Sequence, residues 1–426
     1  MEKFNIAGVE INRVPIIDLL FNKTMIFAYI LLAFGLYGIY EVINDRYFFL
    51  TANAFDAGAN IGSHEVAIAM REAIFGDTAE VHRESPWTLY ISNYMYMIYT
   101  GSGIIFLVAL CEIFNVEIIK KTAAGFMTFG LAMIFGGLFT IIFDLNILHI
   151  FWMFKRPNFG SGMWLMLPLY FIYIPFVFFE IYLLITNRRV WAKKIAFIIL
   201  LLSVLVDIAE YYIQAKLFDM NTARHLWTTY PALPLYFIVS SFLSAIGVMI
   251  LYSYIVYQNS LGDRFRELLL FLKRVTLLSI IALASYEVVS FLFIDKKWAM
   301  TILFGGFDYE FYIYAIFALV IPFGLLLYRL LSKEVKHSLF ILASLSIIIG
   351  TFIGRFIFVY GGNAYPMSDR FGTGFEKYAE YSIVQDFIFF MPPISEISIV
   401  IGSFGVVFAV YKILDNLFNV SKIRED

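Results

Sequence analysis

Ten predominantly apolar stretches, each about as long as a bilayer is thick, are set along this chain, and they constrain its fold more than any other feature. They are Thr24–Ile43, Tyr94–Phe114, Ala123–Phe143, Met163–Thr186, Ile195–Tyr212, Leu233–Tyr257, Val275–Ile294, Phe311–Leu331, Leu339–Tyr360 and Ile394–Leu414, each bounded by charges, Pro, Gly or Asn. About 20 apolar residues cross a hydrocarbon core of roughly 30 Å as an α-helix. Inside that core no water satisfies backbone polar groups, so a spanning segment must be a helix or part of a closed barrel. The alternating pattern of a barrel strand is absent. The expected fold is therefore an all-α integral membrane protein, a single polytopic domain over residues 1–426 with about ten transmembrane helices in bundles. Composition agrees: 61% of residues are hydrophobic and 15% charged, against about 45–50% and roughly 25% in an ordinary soluble domain. The first 23 residues include Glu2, Lys3, Glu10, Arg13 and Asp18. They lack the n-region and cleavage site of a signal peptide, so the first span is expected to stay as a signal anchor.

Lysine and arginine in the short loops orient the chain. With the N-terminus cytoplasmic, the inner connections hold Lys120 and Lys121; Arg188, Arg189, Lys193 and Lys194; Arg264, Arg266, Lys273 and Arg274; and Arg329, Lys333 and Lys336, with Lys422 and Arg424 in the tail. An even number of spans then places both termini in the cytoplasm, in a multi-pass protein of the cytoplasmic membrane. The outer connections 44–93, 144–162, 213–232, 295–310 and 361–393 are longer and aromatic, and carry Gly and Pro. Long ordered loops are where function or a partner sits. In the first of them Ile61–Phe75 reads as a short amphipathic helix, with Ser63 as N-cap and Gly76 as its stop. Leu167-Pro168-Leu169-Tyr170 is echoed by Leu233-Pro234-Leu235-Tyr236; a proline in the first turn of a helix is reason enough for either.

Ionisable residues inside hydrocarbon are costly and are functional candidates by default. Asp144 ends the third span, with His149, Lys155 and Arg156 after it. Asp207 and Glu210 lie in the fifth span, Glu287 in the seventh and Arg355 in the ninth, and Glu396 opens the tenth. Most fall toward the outer face; Glu112 and Glu180 lie nearer the inner ends. The set reads as a polar pocket at the outer membrane level or as a structural polar network.

Several chemistries are disfavoured. The net charge of −2 offers no field for nucleic acid. The single cysteine, Cys111, rules out an intrachain disulfide, a CxxC metal site, a thiolate-bound iron–sulfur cluster and a CxxCH haem attachment. None of His64, His82, His149, His225 and His337 is central in a span, so a transmembrane bis-histidine haem is not expected. No HExxH, GxxxxGK[ST], Gly-x-Ser-x-Gly or helix-opening GxGxxG motif occurs, and no metal site is assigned. Gly101-Ser102-Gly103 reads as a close helix–helix contact. A lipid-soluble quinone suits the chain better. It needs an apolar cleft, one or two polar groups for each carbonyl and a proton acceptor near water. His149, Asp144 and the outer Tyr and Trp residues are of the right type in the right layer.

Asp144-Leu145, followed by His149 to Trp164 with Ser161-Gly162-Met163-Trp164 at the head of the next helix, resembles the signature loop of the NrfD/polysulfide reductase membrane-subunit family. Asn146-Ile147 stands where that family more often has Gly-Arg. Pro86-Trp87 before Gly101-Ser102-Gly103 agrees with the resemblance, as do His225-Leu226-Trp227 to Pro234 with Phe237, Ser241 and Gly247. So do Gly354-Arg355-Phe356, Tyr360-Gly361-Gly362 and Pro393-x-x-Glu396. The later segments resemble the ten-span branch of hydrogenase- and sulfite-reduction-associated membrane subunits. The resemblance implies a quinone- or quinol-reactive subunit of a respiratory oxidoreductase, binding menaquinone or a similar quinone and carrying no haem or covalent cofactor. A ferredoxin-like iron–sulfur partner would dock on the extracytoplasmic face and exchange electrons with a molybdopterin, hydrogenase or multihaem subunit. Some members are thought to help move protons.

On this reading Asp144 and His149 bind the quinone or accept its protons, Trp87, Asn93 and Trp164 shape the cleft, and Arg156 and Ser161 position the loop. Asp207, Glu210, Glu287, Arg355 and Glu396 form a proton relay or a polar network. The alternatives are a secondary transporter, against which no inverted repeat or matched broken spans are found, and a passive anchor for an outer redox complex.

Overall fold

The computed structural model describes residues 3–6, 9–12, 14–56, 87, 89–143, 154–186, 193–220, 227, 230–293, 307–327, 336–364 and 392–423. The long helices are α1 (Lys23–Asp56), α2 (Leu89–Ile113), α3 (Ala123–Ile141), α4 (Gly162–Ile185) and α5 (Lys193–Asp219). They continue with α6 (Leu233–Tyr252), α7 (Arg264–Phe293), α8 (Asp308 to Leu327), α9 (His337–Phe356) and α10 (Ile394–Phe418). Nine helices among the described residues are long and apolar enough to cross a membrane. The chain is an all-α, multi-pass membrane protein. The expected fifth span, which is not among the nine, lies within α5. That helix nonetheless lies along α4 over the same depth, through Tyr173–Asp207 and Ser203–Glu180 hydrogen bonds.

Two observed elements depart from the sequence reading. Lys3–Ile6 and Val9–Asn12 pair as an antiparallel hairpin, β1–β2, where no element is expected. The seventh span begins not at Val275 but at Arg264, because Leu268, Leu269 and Leu272 are fully buried and carry the helix through its charged start. The loop helix at Ile61–Phe75, with Ser63 and Gly76, lies outside the described residues.

Helices consecutive in the chain run antiparallel, and small residues set how closely packed helices approach. A methyl group on Gly402 would stand 2.5 Å from Cα of Gly35, and one on Gly101 would stand 2.5 Å from the carbonyl oxygen of Gly130. In hydrocarbon, where no hydrophobic force drives helices together, such backbone approach is a main source of packing energy. The Gly101-Ser102-Gly103 stretch is a helix contact as expected: Gly101 meets α3 and Gly103 meets the Ser241 carbonyl of α6. Pro234 sits in the first turn of α6, whereas Pro168 lies well inside α4, so the first-turn explanation holds for one of the two echoed segments.

Asn12 of the hairpin donates to the carbonyl of Asn416 at the end of α10 (3.0 Å). Both termini therefore lie at one end of the bundle, called proximal here, which is also the end that holds Lys120, Lys121, Arg264 and Lys422. The opposite, distal end is where α2, α4, α6, α8 and α10 begin. Three helices are widened by π turns: α6 at Ser253–Tyr257, α8 at Ala315–Val320 and α9 at Ile357–Gly361. Such turns break helical regularity and recur at functional sites; those in α8 and α9 directly follow Tyr314 and the Arg355-Phe356 pair.

Candidate functional site

The polar residues of the distal half gather into three joined groups. The first lies between α2, α4 and α5. Asp207, Glu210, Tyr211 and Gln214 recur every three or four residues on α5, so they share one face. Tyr170 donates to Glu210 Oε1 (3.3 Å) and shares a hydrogen bond with Tyr94 (2.9 Å). Gln214 donates to Tyr170 Oη (2.7 Å) and to Glu210 Oε1 (3.0 Å). One turn deeper, Tyr173 donates to Asp207 Oδ1 (2.7 Å). Asp207 and Glu210 are fully buried, and each keeps one oxygen, Oδ2 and Oε2, with no hydrogen-bond partner.

The second group crosses the centre of the bundle. Tyr211 shares hydrogen bonds with Ser102 of α2 (3.1 Å) and Ser241 of α6 (2.7 Å), and its ring stacks on Tyr99 at 5.5 Å. Arg355 of α9 lies over the Tyr99 ring at 4.5 Å and donates to Ser240 Oγ (2.6 Å). Its Nη1 and the Tyr99 hydroxyl are buried without a partner. The rings of Tyr99, Tyr236 and Phe237 wrap the guanidinium, which is how a cation is tolerated in an apolar interior. The third group lies beyond it. Tyr314 of α8 donates to Glu287 of α7 (2.9 Å), and Glu287 is within electrostatic reach of Arg355.

An aromatic wall closes the distal end of α2 and α6. Trp87 lies 5.4 Å from Trp227 and 5.6 Å from Phe218. Trp227 donates through Nε1 to the Phe358 carbonyl (3.0 Å), and that carbonyl belongs to the π turn of α9. Asn363 in turn donates to the Trp87 carbonyl (2.6 Å).

The expected residues separate accordingly. Asp207 and Glu210 are brought together; Glu287 and Arg355 join them through Tyr99 and Tyr211. Trp87 is half-buried in the aromatic wall. Asn93 is fully buried, its amide donating to Thr140 of α3 (2.9 Å) and Ser403 of α10 (3.0 Å). Ser161 caps α4 by accepting from the Trp164 amide (3.4 Å), and Trp164 packs on Phe159. Arg156 is exposed. Glu396 is buried at the start of α10, away from the α4–α5 group. Asp144 and His149 lie outside the described residues. Sequence reasoning missed the tyrosines 94, 99, 170, 173, 211 and 314, as well as Gln214. Their signal was the spacing on α5 and the Tyr170–Tyr173 pair one turn apart. Among the described residues, no three of His, Cys, Asp and Glu come together as a metal site.

A family model described as polysulphide reductase, NrfD, matches residues 78–366, more than half of the chain. The chain belongs to the NrfD family. NrfD-family chains are membrane subunits of polysulfide and other reductase complexes. The match takes in α2 to α9, and with them every member of the three polar groups. It leaves out α1 and α10, the antiparallel pair joined at Gly35 and Gly402. No curated protein matches the chain at significant similarity.

Proposed function

We propose that this NrfD-family chain is the quinone-reactive subunit of a respiratory reductase complex, with the quinone head group received at the distal end between α2, α4 and α5. The observation that carries this is the Tyr94–Tyr170–Gln214–Glu210 group. It sets hydroxyl and amide donors beside a buried carboxyl group that keeps a free oxygen. Tyr170 is only half-buried, so the group is reachable from the lipid side of α4. A bound isoprenoid quinone supplies two-electron, two-proton redox chemistry. The protein's part is to orient the ring carbonyls through Tyr94, Tyr170 and Gln214 and to hold or release protons at Glu210 and Asp207. Asp144 and His149, which follow α3 in sequence, keep the role of binding the quinone or accepting its protons in this reading.

The reading extends to the surroundings. Basic residues at the proximal end support a cytoplasmic position for both termini, which turns the distal loops outward. A ferredoxin-like iron–sulfur subunit docks there, next to the Trp87–Trp227 wall, and passes electrons to or from a molybdopterin, hydrogenase or multihaem subunit.

The test is purification of the complex from its native membrane in mild detergent, with identification of copurifying chains and bound quinone and assay of quinol turnover. An iron–sulfur partner, bound quinone and a roughly 100-fold loss of turnover in Glu210→Gln support the reading. Unchanged turnover in Glu210→Gln, His149→Ala and Asp144→Asn sinks the site assignment. A complex with an iron–sulfur partner but no quinone points instead to a passive anchor.

A further inference from the structure

Three buried polar atoms on three different helices lie near one another without a partner: the Tyr99 hydroxyl of α2, Arg355 Nη1 of α9 and Glu210 Oε2 of α5. Tyr99 is fully buried and Arg355 is 4% exposed. The guanidinium lies 4.5 Å from the centre of the Tyr99 ring, and Tyr99 is within electrostatic reach of Arg355, Glu210 and Tyr94 alike. Tyr99 follows Tyr94 by five residues on α2, which sets it about 7.5 Å deeper along the helix axis. The Tyr94–Tyr170–Gln214 group thus marks the distal edge of this region and the Arg355–Tyr99 pair its inner edge.

Packing does not account for the pair. A methionine in place of Arg355 would fill the space between Tyr99, Tyr236 and Phe237 without taking a charge out of water. The three rings offset part of that cost, yet Nη1 is left with no acceptor. Among the described residues the guanidinium makes no ion pair, and Glu287 acts on it only through space. The Tyr99 hydroxyl, buried and unbonded, likewise costs more than the plain ring of a phenylalanine. Arg355 is also held in place. Its Nη2 donates to Ser240 Oγ (2.6 Å), and the π turn Ile357–Gly361 that follows is tied to Trp227 through the Phe358 carbonyl. A guanidinium has donors only, so two unused donors fixed about one ring are what an acceptor oxygen requires.

We propose that Arg355 Nη1 and the Tyr99 hydroxyl form the inner pole of the quinone site, donating to one carbonyl oxygen of the head group while Tyr170 and Gln214 hold the carbonyl at the opposite edge of the ring. This rests on the quinone reading above. The two carbonyls of a para-quinone point away from each other, so the ring needs donors at both ends, and the Tyr94–Tyr170–Gln214 group stands at one end only. The inner edge of the ring is turned toward α9. Two poles select a ligand with oxygen acceptors on both edges over a ring that has one. The charge on Arg355 is permanent, so the inner pole holds its carbonyl alike at every physiological pH.

The test is calorimetric titration of the purified native complex, washed free of lipid quinone, with two head-group probes. One is menadione, a naphthoquinone with two carbonyls; the other is alpha-tetralone, a fused ring of similar size with one. The wild-type complex binds menadione more tightly than tetralone. Tyr99→Phe removes a hydroxyl that has no protein partner, so the melting temperature of the complex stays that of the wild type. Menadione binding weakens about tenfold, and tetralone binding does not change. Arg355→Met shows the same selective loss, and Arg355→Lys recovers part of it; Tyr99→Phe decides alone where the Arg355 variants do not assemble. Wild-type menadione affinity in Tyr99→Phe overturns the inner pole, as does equal weakening of both probes, and either result leaves the quinone reading standing. A wild-type complex that binds no menadione sinks the quinone reading and the inner pole with it.

Discussion

Replacing Asn93 by leucine separates a structural role from a role in the cleft. The side chain is 0% exposed, and its amide donates to Thr140 Oγ1 at 2.9 Å and Ser403 Oγ at 3.0 Å, joining α2 to α3 and α10. Hydrogen bonds between helices in a bilayer average about 0.6 kcal/mol each, so losing two costs about 1.2 kcal/mol. The partners are not orphaned, because Thr140 also donates to the Gly136 carbonyl and Ser403 to the Val400 carbonyl within their own helices. Asn93 Oδ1 has no partner, and removing a buried, unbonded polar atom returns part of about 1–3 kcal/mol. Asn93→Leu is therefore expected to destabilise the chain by no more than about 1 kcal/mol and to leave quinone turnover near that of the wild type. Asn93→Asp puts a carboxylate in the same place and costs about 3 kcal/mol. Unfolding of the purified chain in mixed micelles, read alongside turnover of the complex, measures both. A loss above about 3 kcal/mol in the leucine variant would refute the hydrogen-bond accounting. Lost turnover at unchanged stability would move Asn93 into the wall of the cleft.

Other outcomes follow from single contacts. Gly362 lies directly under the Trp227 indole, so Gly362→Ala displaces the ring, breaks its bond to the Phe358 carbonyl, shifts tryptophan emission and costs about 1–3 kcal/mol. Gly402→Val forces α10 off α1 at Gly35, and a lowered unfolding midpoint of the purified chain in mixed micelles reports the loosening. Tyr170→Phe removes the hydroxyl shared by Tyr94, Gln214 and Glu210 and lowers quinone turnover about tenfold or more without loss of complex assembly. In a Cys111→Ser background, a cysteine at Lys120 reacts with an impermeant reagent from the cytoplasmic side only; labelling from the outside reverses the orientation drawn from the basic loops.

The positions of these tests show how unevenly fold and site are written in the chain. Helix existence was legible because the length and apolarity of a span are local properties that a bilayer enforces one segment at a time. Helix ends were less so: Arg264–Arg274 read as a loop by charge, yet Leu268, Leu269 and Leu272 hold that stretch in α7 by packing against other helices. The hairpin at Lys3–Asn12 gave no periodic signal, and its Asn12–Asn416 bond joins the two ends of the chain. For the site, the sequence singled out Asp207, Glu210, Glu287 and Arg355, because a charge in an apolar run is conspicuous. It passed over Tyr170 and Tyr173, because tyrosine in an aromatic-rich span is unremarkable until its hydroxyl is seen facing a carboxylate.

By itself, then, the sequence determined that this chain lives in a membrane as a bundle of helices, that it has no cysteine pair to hold a cluster and that its polar residues lean toward one face. The tertiary structure alone decided which of those residues meet. Hydrogen bonds and ion–ring contacts act over a few ångströms between helices far apart in the chain, as between Tyr99 and Arg355 or Tyr173 and Asp207. No local pattern sets such distances; the glycine-paced approach of one helix to the next does.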